Sequence, residues 1–389
     1  MKAYRFRAQA LTPVHVGSGN EINPLEFVLH ENRLLRFSPA ALIGSLPPNE
    51  LARYLHLLER ADLRAIHSFF NDVDVGLAGL TTVDISPHFM REYEEKASNP
   101  NNQFRVEMMP CNPHSSKRYL PGSGIKGAIR TALINHFADT DPHTRETVRD
   151  AVTRERDKRN RARVLEEKAF DRKHSQTERD VLRLVHVEDA CLPDGATRID
   201  RAVNWNPNRK GAENIQMWVE RLKSVADGGT APQFSVILHM DNTKMQHPPV
   251  KRSLGRTIDF DTILKACNHF YWGRMVAEGE KFDGKNSGGK VWSALLDLFP
   301  KGKTPDGQIV SIDPAKPYWC YEQRKRILLR VGRYSHFESL SVDGLREGYN
   351  AQARRPIRDM GSTRTRCLMD NGKPPMPFGW IMMTLESSD

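Results

Sequence analysis

The sequence predicts an α+β fold with antiparallel sheets, and three observations carry that prediction. Residues 3 to 10 alternate, with Tyr4, Phe6, Ala8 and Ala10 on one side and Arg5, Arg7 and Gln9 on the other, the period of a half-buried strand. Extended and helical stretches are mixed along the chain without the regular strand–helix repeat of a doubly wound sheet. Between residues 182 and 240 the extended stretches are separated by Pro-Asp-Gly, Asn-Pro-Asn and Asp-Gly-Gly turns, connections that suit antiparallel neighbours.

The elements follow in order. The opening strand ends in a glycine-bearing loop, Leu11-Thr-Pro-Val-His-Val-Gly-Ser-Gly-Asn20, and Phe27 to Leu29 with Leu34 to Phe37 read as a hairpin. Ser38 before Pro39 is an N-cap with proline at the first helical position, and two helical stretches follow at about 49 to 60 and 62 to 70. Gln103 to Met109 and Arg118 to Leu120 are extended. Pro121-Gly-Ser-Gly-Ile-Lys-Gly127 then leads into a helix with Ile125, Ile129, Ala132, Leu133 and Phe137 on its apolar face. The stretch from Arg145 to Arg183 holds 13 basic and 9 acidic residues, a composition that predicts a solvated, mobile helical insertion. Strands are expected at Leu182 to Val187, Thr197 to Val203, Met217 to Leu222 and Phe234 to Met240. A long helix from Asp259 to Glu278, a Gly-rich loop, a helix from Val291 to Leu298 and two last strands at Ile327 to Val331 and Trp380 to Leu385 complete the chain. The corresponding division is 1–142, a core with a helical insert; 143–182, the charged insertion; and 183–389, the rest of the core with a basic, loop-rich module.

Length and composition narrow the function classes. At 389 residues the chain buries a sizeable core without staples, and its five cysteines are odd in number and never form a Cys-x-x-Cys pair. No apolar run approaches the ~18 residues needed to span a bilayer, and residues 1–8 lack the apolar stretch of a signal peptide, so a cytoplasmic protein is expected. The net charge of +10 favours a polyanionic partner, nucleic acid first.

Gly122-x-Gly124-x-x-Gly127 matches the dinucleotide fingerprint formally, but the following strand and the acidic residue about 20 positions on are missing, and the Gly-Lys-Ser/Thr ending of a phosphate loop is absent. What remains is an anion site at a helix N-terminus, with Lys126 and Arg130 on one helical side; the competing reading is a tight turn beside solvated cations. His15 offers a general base or a hydrogen bond to phosphate, or satisfies local backbone. Cys111-x-x-His114 and Cys267-x-His269 are single ligand pairs, too few for a zinc site. From Arg324 to Lys373 the chain holds 12 basic against 5 acidic residues, with Tyr334, Phe337 and Tyr349 interleaved, the ingredients of single-stranded nucleic-acid binding or of a solvated basic face.

Three segments together resemble one family. Leu11-Thr-Pro-Val-His-Val-Gly-Ser-Gly19, Tyr119-Leu-Pro-Gly-Ser-Gly-Ile-Lys-Gly-Ala-Ile-Arg-Thr-Ala-Leu133 and Arg330-Val-Gly-Arg-Tyr-Ser-His-Phe-Glu338 are similar to the RAMP superfamily of CRISPR-associated proteins. Within it they are most similar to the subunit-five branch of type III-A (Csm) effector complexes. Asp180-Val-Leu-Arg-Leu-Val-His-Val-Glu-Asp189 and Pro377-Phe-Gly-Trp-Ile381 fit the same pattern. The resemblance implies RRM-like, ferredoxin-like modules that bind the 3′ side of the CRISPR RNA and cap a filament of repeated backbone subunits in antiviral defence. It implies the backbone RAMP subunit and the small helical subunit as partners, host nucleases that trim the RNA 3′ end as further candidates, and no cofactor or metal. By matching motif, the RNA contacts expected are His15, Gly17, Ser18 and Gly19; Gly122, Ser123, Gly124, Lys126, Gly127 and Arg130; and Arg330 and Arg333. Related backbone subunits cut RNA with an aspartate in the loop after the first strand. Asn23 stands at that place here, which predicts no cleavage by this chain, with Glu21 and Glu26 as the acids that could substitute. The alternative is a metal-independent endoribonuclease using His15 as acid/base and Lys126 to stabilise developing charge. A nucleotide-dependent enzyme rests on the glycine pattern alone.

Overall fold

The opening alternation becomes strand Lys2–Ala10, which buries Phe6, Ala8 and Ala10 and turns Arg5 and Arg7 to solvent. The computed structural model describes all residues except 74–78, 97–103, 158, 174, 207–212, 284–289, 300–301, 304–308, 311–325, 346–347, 351–353, 358–359, 362 and 371–373. Lys2–Ala10 is the centre of a five-stranded antiparallel sheet in the order Arg326–Arg330, Trp380–Ser388, Lys2–Ala10, Gln233–Met240, Val185–Val187. Helix Gly122–Thr140 precedes Val185–Val187 and helix Phe260–Asp283 follows Gln233–Met240. With Trp380–Ser388 taken as the fourth strand, this is the ferredoxin-like order 4-1-3-2, extended at its edge by Arg326–Arg330.

The two helices share one face of this sheet. Tyr271 Oη donates to the Ala128 carbonyl at 3.0 Å, and Ile129, Leu133, Ile263, Cys267, Phe270 and Met275 join Phe6, Val236 and Ile381 in the largest core cluster. Asn268 covers the outer edge: its Nδ2 donates to the Arg326 carbonyl at 2.8 Å and its Oδ1 accepts from the Leu328 amide at 2.9 Å. An edge strand that would otherwise present unpaired backbone is thereby capped by a side chain.

A second sheet runs Glu21–Ile22, Val106–Glu107, Glu213–Leu222, Thr197–Trp205, Gly79–Ile85, Arg33–Phe37, Phe27–His30. Arg364–Cys367 pairs with Thr197–Trp205 beyond Gly79–Ile85, and Met376–Pro377 pairs with Arg364–Cys367. Its core is Ile22, Phe27, Val83, Phe89, Val106, Ile199 and Trp218. Most pairs of this sheet are antiparallel, and two are parallel: Thr197–Trp205 with Gly79–Ile85 and Glu213–Leu222 with Val106–Glu107. Each parallel pair joins strands about a hundred residues apart, so no short turn forced their direction.

Other elements fall near their expected places: helices Pro48–Glu59, Leu63–Asp72 and Lys290–Asp297, and the hairpin Phe27–His30 with Arg33–Phe37. The strand expected from Leu182 shrinks to Val185–Val187, because Asp180 accepts from the Leu182 amide at 2.9 Å and starts a 3₁₀ turn over Val181–Leu184. The Gly-rich stretch 284–289 lies outside the described residues.

The charged insertion is helical and partly anchored in the core. It forms helices Pro142–Arg154 and Arg161–Ala169, and their charged residues share the segment with buried Val148, Val152, Ala169 and Phe170. Ala169 and Phe170 belong to the main core, with the Phe170 ring 5.7 Å from that of Phe137. A segment polar by composition is thus anchored by a few apolar residues.

Candidate nucleic-acid interface

The loop after the first strand crosses from one sheet to the other. Gly379 donates its amide to the Pro13 carbonyl at 2.8 Å, Leu222 to the Val14 carbonyl at 2.8 Å, Arg333 to the His15 carbonyl at 3.0 Å and Ser18 to the Met108 carbonyl at 3.1 Å. Gly332 makes the closest approach: its φ of +93° suits glycine, and an added Cβ would stand 2.4 Å from the His15 carbonyl oxygen. Beneath the loop, buried Glu220 accepts from the Met109 amide at 3.0 Å, Arg118 Nε at 2.7 Å and Thr197 Oγ1 at 2.8 Å. The crossing is therefore held by both sheets at once.

His15 is buried within this seam, at 1% exposure. Its Nδ1 donates to the Glu220 carbonyl at 2.6 Å, and its Nε2 faces Glu107 Oε2 at 3.3 Å. The neighbouring His15 and Arg333 hold the Glu107 carboxyl below its usual range. Arg333 is half exposed, pairs with Glu107 and lies beside Gly17. Gly17, Gly19 and Arg333 thus form the solvent face of the seam, with His15 behind them. This placement corrects His15 as an RNA contact and as an acid/base, since no face of its ring reaches solvent. Ser18 is partly buried, its Oγ donating to the Met108 carbonyl at 2.8 Å.

The glycine segment is the first turn of helix Gly122–Thr140 rather than a loop ahead of it. Gly122 is required by packing, since an added Cβ would lie 2.2 Å from the Val187 carbonyl oxygen, and its amide already donates to Asp189 Oδ1 at 2.7 Å. A carboxylate therefore occupies part of the expected anion site. Ser123, Gly124 and Gly127 are exposed, and nothing would meet a Cβ at either glycine, so the backbone here is open to close approach. Arg130 is committed elsewhere: it pairs with Glu166 at 2.5 Å and Asp180 at 2.9 Å and stacks over Phe170. Lys126 makes no ion pair among the described residues; desolvation and then Arg130 lower its pKa. The structure thus brings Lys126, Ser123, Gly124 and Gly127 together at one helix end and Gly17, Gly19 and Arg333 together at the seam.

Three of the basic residues of the C-terminal stretch are internal. Arg330, fully buried, reaches Glu278 at 2.5 Å and the Phe378 carbonyl at 3.0 Å; Arg364 pairs with Glu338 at 2.8 Å and sits 3.7 Å from Glu278; Arg366 grips both oxygens of Asp283 at 2.6 and 2.8 Å. Three guanidinium groups thereby meet three carboxylates, Glu278, Glu338 and Asp283. Arg330 as an RNA contact is therefore corrected: burial and pairing leave it no free donor face. Arg324, Lys325 and Arg358 lie outside the described residues. Burial would raise the Glu278 pKa, but Arg330, then Arg364 and Arg366, hold it down at about 2.

His336 borders this network and stays neutral. Burial first, then Arg330 and Arg364, push its pKa from 6.5 down to about 3. Below pH 6.5 the unfolded chain takes up a proton that the folded chain refuses, so this residue removes stability as pH falls from 6.5 towards 3. The loss between pH 7 and pH 5 is about 2 kcal/mol, at about 1.4 kcal/mol per pH unit below 6.5. His336→Gln should abolish that share, seen as a smaller drop in urea-unfolding free energy over this interval than in the wild type. Equal drops in both proteins would contradict the assignment.

Asn23, aligned above with the aspartate of related backbone subunits, caps a 3₁₀ turn: its Oδ1 accepts from the Leu25 amide at 3.0 Å and its Nδ2 donates to Glu26 at 2.6 Å. Glu26 is thereby engaged as well. Cys267 is fully buried, and no group of three His, Cys, Asp or Glu among the described residues is arranged to hold a metal. No helix among the described residues is long and apolar enough to cross a membrane. Glu107, Glu220, Asp189 and Glu278 were missed as partners in sequence; only Asp189 lay in a quoted motif, and isolated acids in strands and helices carry no local signal.

A family model described as the RAMP superfamily matches residues 7–302. A curated relative from Methanocaldococcus jannaschii, described as CRISPR system Cms protein Csm5, is 22% identical over 275 residues, covering 68% of this chain and 60% of that protein. The chain thus matches about three fifths of the length of that curated relative. A chain from the cryo-EM structure of a Csm-crRNA-target RNA ternary complex of a type III-A CRISPR-Cas system superposes with a TM-score of 0.63 at 16% identity, over 99% of this chain and 100% of that one. The crystal structure of T. onnurineus Csm5 superposes with a TM-score of 0.57 at 18% identity, over 96% and 99%. At these identities the likeness establishes the fold.

Proposed function

The chain belongs to the RAMP superfamily, and from that membership we propose that it is a non-catalytic CRISPR RNA-binding subunit of a type III-A (Csm) effector complex. In this reading it acts in the cytoplasm, binds the 3′ side of the guide RNA, caps the filament of repeated backbone RAMP subunits beside the small helical subunit, and contributes to 3′-end maturation, with host nucleases supplying the cutting.

The observation that carries the RNA-binding part is the helix end at 122–130, where exposed Ser123, Gly124 and Gly127 flank Lys126, whose ammonium has no described ion-pair partner. Side-chain-poor backbone beside a free cation suits a sugar-phosphate chain tracked without base readout. Gly17, Gly19 and Arg333 supply a second exposed, glycine-rich and basic face. The names of the Csm5 relative and of the Csm-crRNA complex support the same assignment. Burial of His15 and engagement of Asn23 and Glu26 favour the non-catalytic reading over the endoribonuclease.

Lys126→Ala should weaken binding of single-stranded RNA several-fold for all sequences alike, and make its logarithmic salt dependence shallower by about 0.7. Fluorescence anisotropy across a salt series measures both. An unchanged slope in Lys126→Ala would remove this residue from the interface. Arg130→Ala is expected to act through stability, because its guanidinium already serves Glu166 and Asp180.

A further inference from the structure

The open face of the five-stranded sheet, opposite the two core helices, carries a feature the helix-end reading leaves unused. Arg326 and Arg7 both pair in register with Thr384, one from each neighbouring strand, so the three residues form one row on one face. Gln9 and Gln233 pair in the adjoining row. These residues and Phe299 line a solvent-open cavity of about 410 Å³ that has no acidic residue among its described lining residues. That volume lies within the roughly 300–1,000 Å³ of pockets that take small organic ligands.

The charges in the cavity are poorly compensated. Arg326 makes no ion pair among the described residues, and its Nε is buried without a hydrogen-bond partner. Among the described residues Arg7 pairs only with the half-exposed Glu386, at 3.5 Å, in a contact open to solvent. Desolvation and then Arg7 lower the Arg326 pKa. Two guanidinium groups placed in one concave row, one with an orphaned buried donor, form a site that an anion completes. Two glutamine amides alongside offer both donors and acceptors, as a ribose or base edge requires.

We infer that this cavity binds one nucleotide unit of single-stranded RNA, its phosphodiester held between Arg7 and Arg326 across Thr384. The inference rests on the RNA-binding reading and places a second contact on a different face from the helix end. Arg7→Gln with Arg326→Gln should weaken binding of a fluorescein-labelled single-stranded RNA by the full-length chain about tenfold, with a salt slope shallower by about 0.7. Thr384→Glu, which puts a carboxylate between the guanidinium groups, should weaken RNA equally while raising the melting temperature, so loss of binding is separated from loss of fold. Wild-type RNA affinity and slope in these variants, with Lys126→Ala still impaired, would overturn the cavity and leave the RNA-binding reading standing. Failure of the wild-type chain to bind the RNA would overturn both. Protection of the melting temperature by inorganic phosphate, lost in Arg7→Gln with Arg326→Gln while RNA affinity is unchanged, would identify a free-phosphate site and overturn the RNA assignment.

Discussion

Glu278→Ala should lower the free energy of unfolding by about 3–5 kcal/mol, because it strips the carboxylate from a buried guanidinium and leaves that charge uncompensated. Arg330 is fully buried and reaches Glu278 at 2.5 Å, while Arg364 lies 3.7 Å from the same carboxylate. Arg330 also stacks over Trp380 at 5.0 Å and donates to the Phe378 carbonyl, so its displacement would disturb the strand beside the seam. The partners sit on helix Phe260–Asp283 and on strand Arg326–Arg330, so the network fixes the helix to the sheet edge. Urea unfolding measures the loss. Replacing the pair together, Glu278→Leu with Arg330→Met, should recover most of it, since a buried ion pair and an apolar pair of similar volume differ little. A loss under about 1 kcal/mol in Glu278→Ala would contradict the picture of a dry, mutually compensated network.

Phe170→Ala should cost about 3–5 kcal/mol, the range for removing a fully buried aromatic ring. The ring lies against Phe137, takes the Arg130 guanidinium over its face at 5.5 Å, and the Phe170 carbonyl oxygen would stand 2.2 Å from a Cβ on Gly255. Removal of residues 143–178 should accordingly unfold the protein rather than yield a shortened, stable one. A solvated, mobile insertion would instead be removable without loss of the fold. A trimmed chain with a wild-type melting curve would contradict the anchoring role of Phe170.

What the sequence made legible was the set of elements with strong local periodicity. Residues 3–10, the face of Ile125, Ile129 and Leu133, and the run from Phe260 gave their strands and helices with ends correct to a few residues. Strand Gly79–Ile85 and helix Pro87–Lys96 escaped notice, and each of the parallel pairings depends on partners about a hundred residues away. The same limit governed the site. Glycines and basic residues were visible as motifs, but whether an arginine faces solvent depends on acids distant in the chain. Arg330 and Arg366 find theirs at Glu278 and Asp283, while Arg333 stays half exposed. In the motif Arg330 to Glu338, Arg330, Gly332 and Glu338 therefore brace the fold, and Arg333 alone of the motif's cations reaches the surface.

The role proposed for this chain is to hold guide RNA within a Csm-type assembly. The direct measurement is to co-express it with neighbouring CRISPR-associated subunits and a CRISPR array, purify through a tag on this chain, and sequence the RNA that accompanies it. Guide RNAs with a defined 3′ boundary are expected, reduced in yield or altered at that boundary by Lys126→Ala. An assembly that contains this chain and carries no RNA, or RNA whose yield and 3′ boundary ignore Lys126→Ala, would contradict it.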